Sequence, residues 1–271
     1  MSVNFTNNLR CSERMIRFSV LGSLQVFAGD QCLRLEGRKR RLMLAVMLVH
    51  ANEVVSIDRL ADAVWGDQRP SRALPSMRNI IAEFRSLIGR ECFETRPPGY
   101  RLCLEPDQLD ALEFERLYHR ATNEPGARRL ETLQEALGLW TGPPYADVFY
   151  EDFAQAEIIR LEELRLSALE SLYGTELETS STATALPELQ SLVEQNPYRE
   201  TLRCQLMVAL CRAGRHVEAL DNYLRYKASL SVWQTQPGHA ITETARALRE
   251  GEWAIFAAPQ PEQEAVAPSS R

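Results

Sequence analysis

The stretch 56–101 constrains the fold more tightly than any other part of this sequence. It reads as a short helix closing on Trp65, a polar Gly/Pro link, and a longer helix with one apolar stripe. A hairpin then carries Arg96-Pro97-Pro98-Gly99-Tyr100-Arg101. Helix, link, helix and hairpin in that order make a helix-turn-helix with a wing, an arrangement that inserts a helix into a DNA groove.

The chain has 271 residues, enough for about two domains at the usual size of roughly 100–200 residues each. Its net charge of −6 is unpromising for contact with DNA until it is divided along the sequence. Residues 15–104 carry 14 Lys+Arg against 9 Asp+Glu, whereas 105–271 carry 15 against 27. Basic surface attracts phosphate and acidic surface repels it. Only the first third is suited to touch nucleic acid.

Ahead of the helix-turn-helix, Ile16–Val20, Leu24–Ala28 and Gln31–Leu35 read as three short antiparallel strands. A helix is predicted over Arg38–Ala51, with Leu42, Leu44, Ala45, Leu48 and Val49 at helical spacing. It opens on Arg38-Lys39-Arg40-Arg41, and basic residues at a helix N-terminus oppose its dipole. Either a phosphate backbone or plain solvation accounts for that run.

Ser56 is a good N-cap for a helix over Ile57–Trp65, which Gly66 ends. The longer helix enters between Ala73 and Pro75, because proline belongs in a first turn. Met77, Ile80, Ile81, Phe84, Leu87 and Ile88 share one face, and Pro75, Asn79, Ala82 and Ser86 the opposite one. Arg78 and Arg85 flank that second face on one edge, Arg72, Ser76 and Glu83 on the other. An apolar back with short residues, Asn and Arg in front suits base reading, although any amphipathic surface helix shares the first property. Cys92–Thr95 and Tyr100–Leu104 are strand-like around the Pro97-Pro98-Gly99 turn, with Arg96 at the tip and Arg101 at the base.

These residues resemble the OmpR-type winged helix of the Streptomyces antibiotic regulatory proteins (the AfsR/SARP family). The resemblance rests on Ile16–Leu24, Arg38-Lys39, Val54-Val55-Ser56, Leu60–Asp67 and above all Thr95–Tyr100. It continues into the family's bacterial transcriptional activation domain through Asp110–Ala121, Ala136–Pro143, Arg160–Glu170, Asn196–Glu200 and Gln205–Met207. Leu206, Leu210, Gly214, Ala219 and Tyr223 also have tetratricopeptide spacing. Two departures stand out: Glu83 where the family often has Arg, and residues 231–236 in place of the usual acidic Leu-Gly turn.

The expected fold is therefore an α+β winged helix over 15–104 followed by an all-α, tetratricopeptide-like activation domain over 105–250. Disordered tails are expected at 1–14 and 251–271. The expected DNA contacts are Arg38, Arg72, Ser76, Arg78, Asn79, Ala82, Arg85, Arg96 and Arg101. Asp67, Gln68 and Arg69 in the link are expected to meet RNA polymerase. The resemblance implies an activator that binds promoter direct repeats as a homodimer on double-stranded DNA. It would recruit RNA polymerase holoenzyme with its sigma factor for an antibiotic or secondary-metabolite cluster.

Little else in the sequence carries chemistry. No GxxxxGK[ST], GxSxG, HExxH or CxxC pair occurs, so neither an enzyme nor a cofactor or metal is expected. Cys204, Cys211 and His216 read as packing residues before they read as a metal site, and Cys92 with Cys103 as reduced thiols before a redox pair. The N-terminus lacks an apolar signal core and no run of about 18 apolar residues exists, so a cytoplasmic, nucleoid-associated protein without membrane contact is expected. Two alternatives remain at this point: a helical-repeat scaffold that binds protein, and a phosphorelay-type output regulator. The second would need a receiver domain, whereas this sequence opens on the DNA-binding strands.

Overall fold

The computed structural model describes residues 16–179, 185–252 and 256. The tail expected at 1–14 and most of that expected at 251–271 lie outside them. The chain divides into two compact units, one of residues 1–119 with 135–166 and one of 120–134 with 167–271.

In the first unit, β1 (Ile16–Ser19), β2 (Gln25–Ala28) and β3 (Gln31–Leu33) form an antiparallel sheet in that order. The helix α1 (Arg38–Val49) follows, and Leu42 to Leu48 are all buried. A helix buried on every side is a central one, which explains why its apolar residues exceed a single stripe. β4 (Val54–Ser56) leads into α2 (Ile57–Trp65), whose N-cap Ser56 accepts the Arg59 N–H at 3.2 Å as expected of that residue type.

The helix α3 (Ala73–Ile88) buries Met77, Ile80, Ile81, Phe84 and Ile88. Leu87, expected on that face, is instead exposed, because it falls at the rim of the stripe. β5 (Phe93–Arg96) and β6 (Gly99–Leu102) form the wing and join β4 in the order β4-β6-β5. Gly99 lies in β6 and not in the turn. A Cβ there would stand 1.8 Å from the Val55 carbonyl oxygen, so only glycine lets β6 pair this closely with the end of β4.

This unit does not end at residue 104. The opening of α4 (Asp110–Thr122) lies beside β1, and Asp110 accepts the N–H groups of Val20 and Leu21 and the Ser19 hydroxyl. Thr141, Tyr145 and Ala146 donate backbone N–H groups to the carbonyls of Leu21, Val20 and Gly22 at 2.7–3.0 Å. Asp147 accepts the Leu24 N–H at 2.9 Å. At Gly22 a Cβ would meet the Thr141 hydroxyl oxygen at 2.1 Å, which is why the β1–β2 turn needs glycine. Trp140 packs edge-on against Phe114 at 5.3 Å with the Arg165 guanidinium over its ring.

The second unit is helical. It holds most of α5 (Gly126–Leu137), the C-terminal part of α6 (Asp152–Thr179), and α7 (Ala185–Gln195), α8 (Glu200–Arg212), α9 (His216–Ser231) and α10 (His239–Glu250). Consecutive helices α7, α8 and α9 pack on one another, and α10 packs on α8 and α9. Gly214, with φ +74°, turns the chain between α8 and α9, and Ala219 and Tyr223 are buried in that pair. Such antiparallel pairs are the tetratricopeptide arrangement its spacing predicts. Glu200 accepts both the Tyr226 hydroxyl and the Gly238 N–H, fixing the entry to α10 after the atypical 231–236 stretch. Phe256 departs from the disorder expected after residue 250: it is buried and its carbonyl accepts from Arg212 at 2.8 Å.

Burial pushes the Cys204 and Cys211 thiols up to about 11, leaving them protonated packing groups. The backbones of Cys92 and Cys103 face each other across the wing, with the Cys103 N–H on the Cys92 carbonyl at 2.9 Å and no disulfide between them. Among the described residues, no cluster of three or more potential metal ligands occurs. No helix of the described residues is long and apolar enough to cross a membrane.

Candidate nucleic-acid interface

The solvent side of α3 is built by its own periodicity. Burial of the 77, 80, 81, 84 and 88 positions turns Pro75, Arg78, Asn79, Ala82 and Ser86 outward, and all five are exposed. Ser76 is half-buried beside them and Arg72 is exposed at the N-cap position. Arg72 and Arg78 form no ion pair among the described residues, so both guanidinium groups are available to an anionic partner.

Arg85 is placed differently from its expected role. Its guanidinium donates to the Phe93 carbonyl at 3.0 Å and to the Thr95 hydroxyl at 2.8 Å, and lies 5.9 Å from the centre of the Tyr100 ring. The fork is spent on bracing the wing against α3, not on facing outward beside Asn79. In the wing, Arg96 is exposed and pairs with Glu94 at 3.0 Å. Arg101 is half-buried in β6 opposite Val54 and Glu94, and its Nε is buried with no hydrogen-bond partner among the described residues. It makes no carboxylate pair among the described residues.

The basic run at the start of α1 has internal partners that the sequence did not reveal. Arg38 pairs with Glu151 at 2.7 Å, Arg41 with Asp147, and Arg40 with Glu83 through two hydrogen bonds. The Lys39 ammonium sits 5.4 Å from the centre of the Trp65 ring. These carboxylates offset the unfavourable helix dipole without any phosphate. The Arg40–Glu83 pair links α1 to α3 and went unrecognised in the sequence. The signal for it was Glu83 itself, an acid on a helix face otherwise furnished with Arg and Asn.

The link between α2 and α3 is exposed throughout. It forms a 3-10 turn at Gly66–Gln68, and Arg69 pairs with Asp58 at 2.9 Å.

Comparison with known proteins decides the family. The family model described as bacterial transcriptional activator domain matches residues 109–249. The chain belongs to the SARP family of transcriptional activators. It is 33% identical over 225 residues to the regulatory protein AfsR of Streptomyces griseus, covering 80% of this chain and 23% of that protein. It is 30% identical over 230 residues to the regulatory protein DnrI of Streptomyces peucetius, covering 79% of this chain and 85% of that protein. A solved structure of Mycobacterium tuberculosis EmbR, in complex with a low affinity phosphopeptide, superposes with a TM-score of 0.82 at 26% identity, over 92% of this chain and 67% of that one. This chain thus spans under a quarter of AfsR and most of DnrI. The winged helix followed by a helical domain, expected from the sequence, is the fold it shares with EmbR.

Proposed function

We propose that this SARP-family chain is a sequence-specific DNA-binding activator that lays α3 in the major groove and its wing against the adjacent backbone or minor groove. Two copies bind promoter direct repeats and recruit RNA polymerase holoenzyme with its sigma factor. The match to the regulatory protein DnrI of Streptomyces peucetius, together with the family resemblance, supports control of an antibiotic or secondary-metabolite cluster. The observation that carries the reading is the outward face of α3, where Asn79 and Arg78, which forms no ion pair among the described residues, stand over a buried apolar back. Asn and Arg are the side chains that hydrogen-bond base edges bidentately.

The test is a gel shift of the full chain on its own upstream region, with competitor DNA and a salt titration. Specific retention with a linear log-log salt dependence is expected. Equal retention of random DNA at every salt concentration would overturn the reading. Asn79→Ala should relax base preference at one position, costing about 1–3 kcal/mol if the contact is bidentate to adenine.

A further inference from the structure

We propose that Glu83 reads a base: its carboxylate, held in place by Arg40, accepts a hydrogen bond from the N4 amino group of a cytosine in the major groove. The inference rests on the DNA-binding reading above. Glu83 lies on α3 four residues after Asn79, one helical turn further along the outward side, with the small Ala82 beside it. Residues one turn apart on a recognition helix reach neighbouring base pairs.

A bare carboxylate at that position would be repelled by the phosphates on either side. Arg40 removes the objection. Its Nη2 donates to Glu83 Oε1 at 3.0 Å while its Nε donates to the other oxygen, so the pair approaches DNA without net charge. Arg40 is itself tethered by a hydrogen bond to the Glu36 carbonyl at 3.4 Å. The pair borders a cleft with Lys39, Ser76 and Asn79, where Lys39 adds a positive charge that no carboxylate among the described residues matches. Hydrogen bonding from Arg40 also holds the Glu83 carboxyl below the usual glutamate range, so it is ionised and acts only as an acceptor.

An ionised carboxylate has about four acceptor sites, and the Arg40 fork occupies two. The remaining lone pairs point away from Arg40, and half of the Glu83 side chain is exposed. An acceptor-only group rejects guanine and thymine, whose major-groove edges offer no amino hydrogen. Cytosine N4 is the donor that carboxylates take there.

Selection from a randomised DNA pool by the full chain tests this, comparing wild type with Glu83→Gln and Arg40→Gln. Wild type should enrich a site with cytosine fixed at one position. E83Q should lose that preference by on the order of tenfold and shift it toward adenine, which glutamine contacts bidentately, while the other positions stay unchanged. R40Q should keep cytosine but bind every sequence more weakly, because the carboxylate is no longer neutralised. If E83Q enriches the same site with the same preference at every position, the pair is only a strut between α1 and α3 and the inference fails. If wild type itself enriches no sequence, the DNA-reading function falls, and this role with it. Matching melting temperatures for the three proteins exclude misfolding as the cause of either result.

Discussion

The carboxylate of Asp110 accepts the backbone N–H of Val20 at 2.9 Å, across the point where the winged helix passes into the helical part of the chain. The same group takes the Leu21 N–H and the Ser19 hydroxyl. Val20 and Leu21 are buried and these bonds are partly so, so water replaces Asp110 poorly if it is removed. Asp110→Ala should therefore cost about 1–3 kcal/mol for each donor left unpaired, read as a lower urea midpoint with an unchanged slope. Burial pushes the Asp110 carboxyl above the usual aspartate range, against the hydrogen bonds it accepts. The folded chain then binds this proton more tightly than the unfolded chain, so the contribution is full at low pH and is lost as pH rises through the folded value. Asp110→Asn removes the titration. The stability of wild type relative to D110N should fall as pH climbs across the carboxylate range, and a gap independent of pH would show that Asp110 does not titrate this way.

The same contacts bear on how the chain can be cut. A break at residue 104 removes Asp110, Thr141, Tyr145, Ala146 and Asp147, all of which hydrogen-bond the Val20–Leu24 turn. It also strips Tyr145, which is 1% exposed, from the core. A fragment ending at 104 should lack a cooperative thermal transition and fail to bind DNA, although the sequence alone suggests a self-sufficient winged helix there. Circular dichroism melting of that fragment beside the full chain is the measurement. A sharp transition near that of the full chain would mean that the turn is held without these partners.

Arg85 and Arg78 look equivalent in the sequence and should behave differently. Arg85→Ala removes the tie between α3 and the wing, so affinity should fall on specific and random DNA alike, with a modest drop in melting temperature. Arg85→Lys should rescue little, since one ammonium cannot span the Phe93 carbonyl and the Thr95 hydroxyl together. Arg78→Ala should leave the melting temperature unchanged, relax base preference at one position and weaken specific binding by about 1–3 kcal/mol, with random DNA held almost as before. If R85A changes base preference while stability holds, Arg85 leaves the wing when DNA binds.

Much of the fold was legible because it is local. Ser56 caps α2, Gly66 ends it, and the 77–80–81–84–88 stripe of α3 follows from helical spacing alone. The residues the sequence leaves undecided are those whose partners lie far along the chain. Arg38 meets Glu151 at a separation of 113 residues, Arg41 meets Asp147 at 106, and Arg40 meets Glu83 at 43. Periodicity shows which way a side chain faces, not what arrives there from another element. That is why the sequence leaves the basic run open between a phosphate contact and solvation, and shows nothing of the carboxylates that match it. Trp140 shows the same limit: an aromatic residue in a helical region is a packing residue in either unit, and only the fold assigns it to Phe114.

The link from Gly66 to Arg72 yields the last prediction, that Asp67, Gln68 and Arg69 serve transcription without serving DNA binding. All three are exposed, and the helices they join have committed their apolar faces to the core. Asp67 is an unsuitable neighbour for phosphate, whereas a protein surface can match it. Arg69 is held by Asp58 at 2.9 Å, so the link is a shaped surface and not only a tether. Substituting Asp67 or Gln68 with Ala should leave gel-shift affinity within about twofold, since exposed positions away from the contact contribute little. The same substitutions should lower promoter-specific transcription in vitro with purified RNA polymerase holoenzyme. Arg69→Ala disturbs the Asp58 pair as well, so Asp58→Asn is its control: a contact through Arg69 itself predicts that R69A reduces transcription more than D58N does. Parallel loss of binding and transcription in the Asp67 and Gln68 variants would assign the link to DNA and leave the polymerase contact elsewhere on the molecule.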